Sequence, residues 1–236
     1  MYKPKIIAHR GYSLLYRENT LPAFEAAFRA GADFVELDLV LTADGRVFVN
    51  HDLTVGRYLI RTVKLKEIKN LIPGSVSLEE VLLWAERRRI GLYLDVKDRD
   101  MINPLTEILK DFVKGKIDVI VSSDDFTFLK KFKEKNEHIL TALLFRNILP
   151  SEEMIRLANK YKADIIHPCW ERKHPYPHVL IDRENITTMN SAGYKVVCWH
   201  EERREELVRL LKIGFWGITT DDPFLLRNLI NQSLKR

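Results

Sequence analysis

The sequence predicts an α/β protein folded as a closed (β/α)8 TIM barrel, and three observations carry that prediction. Short apolar strands alternate with helical patterns along the chain. Eight strand-then-helix units can be counted. The length, 236 residues, is close to the ~250 that such barrels use as one unit. A doubly wound open sheet is the competing architecture. The segment after the first strand, HRGYSLLYREN, lacks the Gly-x-Gly-x-x-Gly turn of a dinucleotide-binding sheet. We therefore expect one domain over residues 1–236, with a short hairpin and a small insertion, about 53–76, after strand 2.

The elements follow in order. Residues 5–9 (KIIAH) read as a buried strand ended by Arg10-Gly11. Asn19-Thr20, then Leu21-Pro22, then apolar residues to Gly31 give a helix with a cap, a first-turn proline and a terminal glycine. A strand over 33–40 follows, a turn at 42–45, and an antiparallel return over 47–50. Residues 53–76 are irregular, with a weak helix at 65–71. Ser77 and Glu80 form a capping box for a helix to about 88. Strands at 91–97, 117–122, 139–145, 164–168, 195–199 and 216–220 then alternate with helices at 103–114, 124–135, 151–161, 179–192, 202–213 and 223–233.

Composition narrows the class. At 46% hydrophobic the chain can build a full core, yet no run reaches the ~18–20 apolar residues that span a bilayer. The N-terminal segment has no signal-peptide pattern, so the expected location is cytoplasmic, with no stable membrane anchor. Net charge is +5, spread along the chain without a basic stripe, which argues against nucleic acid as a partner. Cys169 and Cys198 lack metal-site spacing and read as free thiols.

In such a barrel the chemistry sits at the C-terminal strand ends. Glu36 and Asp38 are two apart on one strand and share a face. Their repulsion requires protonation, a basic side chain or a divalent metal between them. Asp95 shares the inward face of the third strand with Tyr93 and Lys97. Three converging carboxylates make an all-oxygen site, which favours Mg²⁺ or Ca²⁺ over zinc. His9-Arg10 ends strand one, the hairpin returns His51, and Trp199-His200 and Thr220-Asp221 end the last two strands.

The ordered set His9-Arg10-Gly11, Glu18-Asn19-Thr20, Gly31-x-Asp33-x-x-Glu36-x-Asp38, Thr42-x-Asp44-Gly45, His51-Asp52, Ser77-Leu78-Glu79-Glu80, Asp95-x-Lys97, Trp199 and Gly217-Ile218-Thr219-Thr220-Asp221-Asp222-Pro223 resembles the glycerophosphodiester phosphodiesterase family. The resemblance spans the whole chain and implies a (β/α)8 barrel. It implies that His9 and His51 are an acid–base pair. Glu36, Asp38 and Asp95 would be metal ligands, with Asp95 standing where the family usually has glutamate. Arg10 and Lys97 would hold phosphate, and Trp199 would wall the pocket. After Trp199 the family often reads Thr-x-Asn, whereas this chain reads His200-Glu201-Glu202.

The implied activity is metal-dependent hydrolysis of small-molecule glycerophosphodiesters to glycerol 3-phosphate and an alcohol, a step of lipid and glycerol metabolism. It leaves open which histidine is base, and whether the glycerol 2-hydroxyl or water attacks. A lysophospholipase D-like activity is the alternative, and a non-catalytic barrel that binds phosphorylated ligands is a third. Other residues have bland readings. Glu18 and Asn19 either shape and cap the first helix or take a place in the pocket, Asp44-Gly45 is a turn, and residues 217–223 are a strand-to-helix joint. Pro175 and Pro177 make His174 and His178 loop residues, near Cys169 and Trp170. His167 and His200 are without a role.

Overall fold

A computed structural model describes residues 3–112, 117–169 and 174–234. Eight parallel strands form the barrel: β1 (Lys5–Ala8), β2 (Phe34–Leu41) and, after the excursion described below, β6 (Gly91–Val96), β7 (Val119–Ser123), β8 (Leu140–Phe145), β9 (Ile165–Pro168), β10 (Lys195–Cys198) and β11 (Gly217–Thr220). Each pairs with its neighbour, and β1 pairs with both β2 and β11, so the sheet closes on itself. The excursion begins with β3 (Val47–Val49), which pairs antiparallel to the end of β2 as the hairpin pattern predicts. The expected irregular segment also holds a two-stranded ribbon, β4 (Thr54–Val55) and β5 (Tyr58–Leu59), that the sequence pattern does not announce.

Nine α-helices are present among the described residues: α1 (Leu21–Arg29), α2 (Leu65–Leu71), α3 (Leu78–Arg88), α4 (Ile102–Phe112), α5 (Phe126–Lys135), α6 (Ser151–Tyr161), α7 (Arg183–Ser191), α8 (Arg204–Leu210) and α9 (Pro223–Ser233). The expected end of the fourth helix reaches into residues 113–116, outside the described residues. Helix starts follow the sequence signals. Thr20 accepts a hydrogen bond from the N–H of Ala23, and Ser77 and Glu80 cap each other reciprocally. The segment at 174–182 is shorter in helix than expected: it holds one 3-10 turn, Pro177–Val179, and α7 begins only at Arg183, where Asp182 caps it.

Strand alternation sorts the core into layers. Val35, Leu37 and Leu39 of β2 and Leu92, Leu94 and Val96 of β6 point outward and pack with helix residues such as Phe24, Leu78, Val81 and Leu82. Ile7, Phe34, Tyr93, Ile120, Ala142, Ile165 and Val197 point inward and plug the barrel. Gly91 belongs to this plug because the Phe34 ring occupies the place of its side chain: a Cβ there would lie 2.4 Å from the ring. The insertion buries Val55, Ile60, Val63 and Ile68 against Val40 and Phe48 of the hairpin. Above the apolar plug the inward positions become polar, and these carry the site.

Candidate active site

The turn after β1 is set by backbone conformation. Arg10 and Gly11 both have positive φ, +54° and +87°. A Cβ on Gly11 would lie 2.8 Å from the Ala23 backbone, so glycine is required for the turn to lie against α1. The turn directs Arg10 inward. Its N–H donates to Glu36 Oε2 (2.8 Å), its Nε lies 3.1 Å from Asp38 Oδ2, and its Nη1 donates to Glu18 (3.0 Å). Asn19, also at positive φ, donates its amide to Asp38 Oδ2 (3.0 Å) and accepts from the Asp38 N–H (3.3 Å). Glu18 and Asn19 therefore do more than shape a helix: they hold the two groups around Asp38.

Glu36, Asp38 and Asp95 converge, with candidate ligand oxygens all within 4.8 Å of one another. All three are buried. Asp38 and Asp95 are register partners on β2 and β6. Lys97 places its ammonium 3.1 Å from Asp38 Oδ1 and against Asp95 Oδ2, and Ser122 donates to Asp95 Oδ1 (3.2 Å). Burial pushes the Glu36 carboxyl well above its usual range, and the charges of Asp38 and Asp95 push it further. Burial likewise raises Asp95, with Asp38 adding to it against Lys97. Burial would raise Asp38 too, but Lys97, Arg10 and Asn19 outweigh it and hold that carboxyl low.

The cations thus account for part of the repulsion and leave a remainder. Glu36 Oε1 is buried without any hydrogen-bond partner, and Asp38 Oδ1 has its ion pair but no aligned hydrogen bond. Bare buried carboxylate oxygens facing two further carboxylates are the donor set of a hard divalent cation. The residues present therefore fit such an ion.

Across the mouth stands a histidine cluster. His9 Nδ1 lies 2.7 Å from Asp221 Oδ1, which also accepts from Ser13 Oγ (2.8 Å). With Nδ1 engaged, His9 Nε2 is buried and without a hydrogen-bond partner. Trp199 meets the His9 ring edge-on at 4.8 Å, and His200 stacks on it at 4.5 Å. Burial lowers the His9 pKa below its usual value, against the hydrogen bond to Asp221. Asp221 is held far below the ordinary carboxylate range: burial opposes this, but its bonds to His200 and His9 prevail. Deeper in the barrel His167 Nδ1 lies 2.7 Å from the Tyr93 hydroxyl, and burial lowers His167 to about 3.

His51 stands on the hairpin return, 40% exposed at its side chain, with Nδ1 2.9 Å from Asp52. The return is tied to the backbone of the carboxylate strand, since the Asn50 N–H donates to the Asp38 carbonyl (3.0 Å). Of the expected residues, Arg10, Glu36, Asp38, Asp95 and Lys97 form one contact network, while His9 and Trp199 form a second. His51 borders the first.

The sequence marks Asp221 as the end of the last strand and part of a joint, without a role. The available signal was alternation: Gly217, Thr219 and Asp221 continue one face of the strand, so Asp221 had to point into the mouth. The loop histidines do not meet as a pair. His178 bonds Glu206 (2.7 Å), and His174 turns back on Tyr176. Trp170 lies outside the described residues. Cys169 and Cys198 are not joined in a disulfide.

Comparison with known proteins places the whole chain among relatives of one family. Residues 9–225 match the Glycerophosphoryl diester phosphodiesterase family. A Glycerophosphodiester phosphodiesterase of Caldanaerobacter subterraneus subsp. tengcongensis is 30% identical, the match covering 98% of this chain and 99% of that protein. The crystal structure of a glycerophosphodiester phosphodiesterase from Thermotoga maritima superposes with a TM-score of 0.81 at 27% identity, covering 97% of this chain and 99% of that one. An Oleispira antarctica phosphodiesterase solved with its product sn-glycerol-3-phosphate shares the fold, with a TM-score of 0.83 at 22% identity and 97% of both chains covered.

Proposed function

The chain belongs to the glycerophosphoryl diester phosphodiesterase family and is an enzyme of that class, and from this premise we propose that it hydrolyses glycerophosphodiesters to glycerol 3-phosphate and an alcohol with a bound divalent cation. The observation that carries the reading is the buried trio Glu36, Asp38 and Asp95, with a bare Glu36 oxygen, flanked by Arg10 and Lys97. Three buried carboxylates against two cations leave one negative charge. A divalent ion turns this into one positive charge, which matches a phosphodiester monoanion.

Glu36, Asp38 and Asp95 would hold Mg²⁺ or Ca²⁺, which when bound supplies charge to the phosphate oxygens and to the charge that develops in the transition state. Arg10 and Lys97 orient and neutralise the same oxygens. His9 presents Nε2, because Asp221 occupies Nδ1. His9 and His51 divide the proton work: one removes the proton of the attacking hydroxyl, the other protonates the leaving alkoxide. Trp199 walls the site beside His9. The product bound to the Oleispira enzyme fits the same substrate class. The reading treats the chain as one cytoplasmic domain; no described helix is long and apolar enough to cross a membrane.

The test is turnover of glycerophosphocholine and glycerophosphoethanolamine with Mg²⁺ or Ca²⁺ and with chelator. Release of glycerol 3-phosphate that the chelator abolishes is the expected result, and no product with either ion overturns the reading. A lysophospholipase D-like substrate is the second reading. Leu14 and Leu15 after β1, and Leu53 and Leu59 in the insertion, are more than half exposed on the strand-end side of the barrel and could meet an acyl chain. Faster turnover of a long-chain lysolipid than of the water-soluble diester would favour it.

A further inference from the structure

We propose that His200 is a positioning residue for His9, acting through the carboxylate that the two imidazoles share. The inference rests on the reading of His9 as a proton-transfer group. Asp221 splits its two oxygens between the rings: Oδ1 lies 2.7 Å from His9 Nδ1, and Oδ2 lies 3.4 Å from His200 Nε2. The rings stack with centroids 4.5 Å apart and planes 30° from parallel. Trp199 closes another side of His9. The His9 ring is therefore fixed at one nitrogen and on its face, and it cannot swing without disturbing His200.

His9, His200 and Asp221 also lie close enough together to be considered as metal ligands. Their facing atoms are spent on one another: His9 Nδ1 and His200 Nε2 are turned to the two separate oxygens of Asp221. The cluster is a hydrogen-bonded clamp.

A shared carboxylate also sets how the clamp handles protons. Asp221 has one negative charge to offer two imidazoles. A proton on His9 is stabilised by Asp221 and opposed by Arg10 and by any charge on His200. Ser13 takes part of the same Asp221 oxygen, Glu202 lies 3.7 Å from His200 Nε2, and His167 lies beyond Trp199. Removing the His200 ring frees Asp221 Oδ2, removes any charge on His200 that opposes His9 and lets water reach the His9 face. All three changes favour imidazolium on His9, so its titration moves to higher pH. That direction holds whether His9 serves as base or as acid.

The experiment compares the wild-type enzyme with His200→Ala and His200→Gln. Glutamine keeps an N–H donor for Asp221 Oδ2. For His200→Ala we expect kcat on glycerophosphocholine to fall about tenfold, the value of one hydrogen bond to a charged group. KM should stay within about twofold, and the pH limb assigned to His9 should move upward. His200→Gln should recover most of kcat. Imidazole ¹⁵N NMR reads the same clamp without turnover: His9 should be protonated at Nδ1 in the wild type, and its midpoint should rise in His200→Ala. The inference is overturned if His9 keeps its tautomer and midpoint in His200→Ala, or if kcat and KM change only with a loss of thermal stability. Inactivity of the wild type toward every glycerophosphodiester would sink the functional reading, while the NMR comparison would still decide the clamp.

Discussion

Asp38 and Asp95 face each other across the β2–β6 ladder as register partners, and the ammonium of Lys97 lies against both. Like charges at paired positions of a sheet are destabilising. These two are tolerated because Lys97 and Arg10 act as counterions. The arrangement has a thermodynamic signature. An ion that binds the folded carboxylates and not the unfolded chain stabilises the fold by about 2.7 kcal/mol at a hundred times its dissociation constant. Adding Mg²⁺ or Ca²⁺ to chelated protein should therefore raise the melting temperature, and Glu36→Gln should abolish most of that rise. Equal shifts in both proteins, measured by calorimetry, would argue against Glu36 as a ligand.

Glu36 also predicts a pH dependence for the metal-free protein. Its folded pKa is raised above the unfolded value of about 4.3 by burial and by Asp38 and Asp95. Stability from the neutral carboxyl is then fully present below the unfolded pKa and is lost as pH rises through the folded one. Melting temperatures measured in chelator should fall over that interval in the wild type. Glu36→Gln should flatten the curve.

His9 and Asp221 give a catalytic prediction. Asp221→Asn keeps the shape of the side chain but offers a weaker, uncharged acceptor to His9 Nδ1. Both tautomers of His9 then compete. Turnover should fall by roughly 10² or more, in the range of a lost proton-transfer group, with KM little changed. His9→Ala should fall as far, and the double variant should be no worse than His9→Ala, which steady-state kinetics on the three proteins will show.

Gly11 gives a prediction on stability. Alanine there must keep φ near +87° and must fit a methyl 2.8 Å from the Ala23 backbone. The cost should be about 1–3 kcal/mol, read by denaturant unfolding. Because the same turn aims Arg10 at Glu36 and Asp38, activity should drop further than stability alone explains.

The barrel was legible because its signals are local. The Ser77–Glu80 capping box and the alternation along β2 and β6 can be read within a few residues, and alternation alone puts Glu36 and Asp38 on one face of their strand and Asp95 on the inward face of its own. The ribbon at 54–59 was not legible, since two-residue strands carry no period to detect. Arg10 and Asn19 were visible as motif residues, but the left-handed backbone that turns both toward Asp38 is hinted at only by the asparagine and leaves no mark at Arg10. The pairing of His9 with Asp221 and His200 joins segments about two hundred positions apart, and only the closing of β1 on β11 brings them together.

That closure bears on how the enzyme comes into being on the ribosome. His9 leaves the ribosome long before its partner: the carboxylate that orients it arrives 212 positions later. Strands β2 to β9 can pair in order as they emerge, whereas β1 must wait for β11 before its second edge is covered. Until then the nascent chain holds its three carboxylates but no aligned histidine. On the proposed reading, catalytic competence is acquired only when the barrel is sealed.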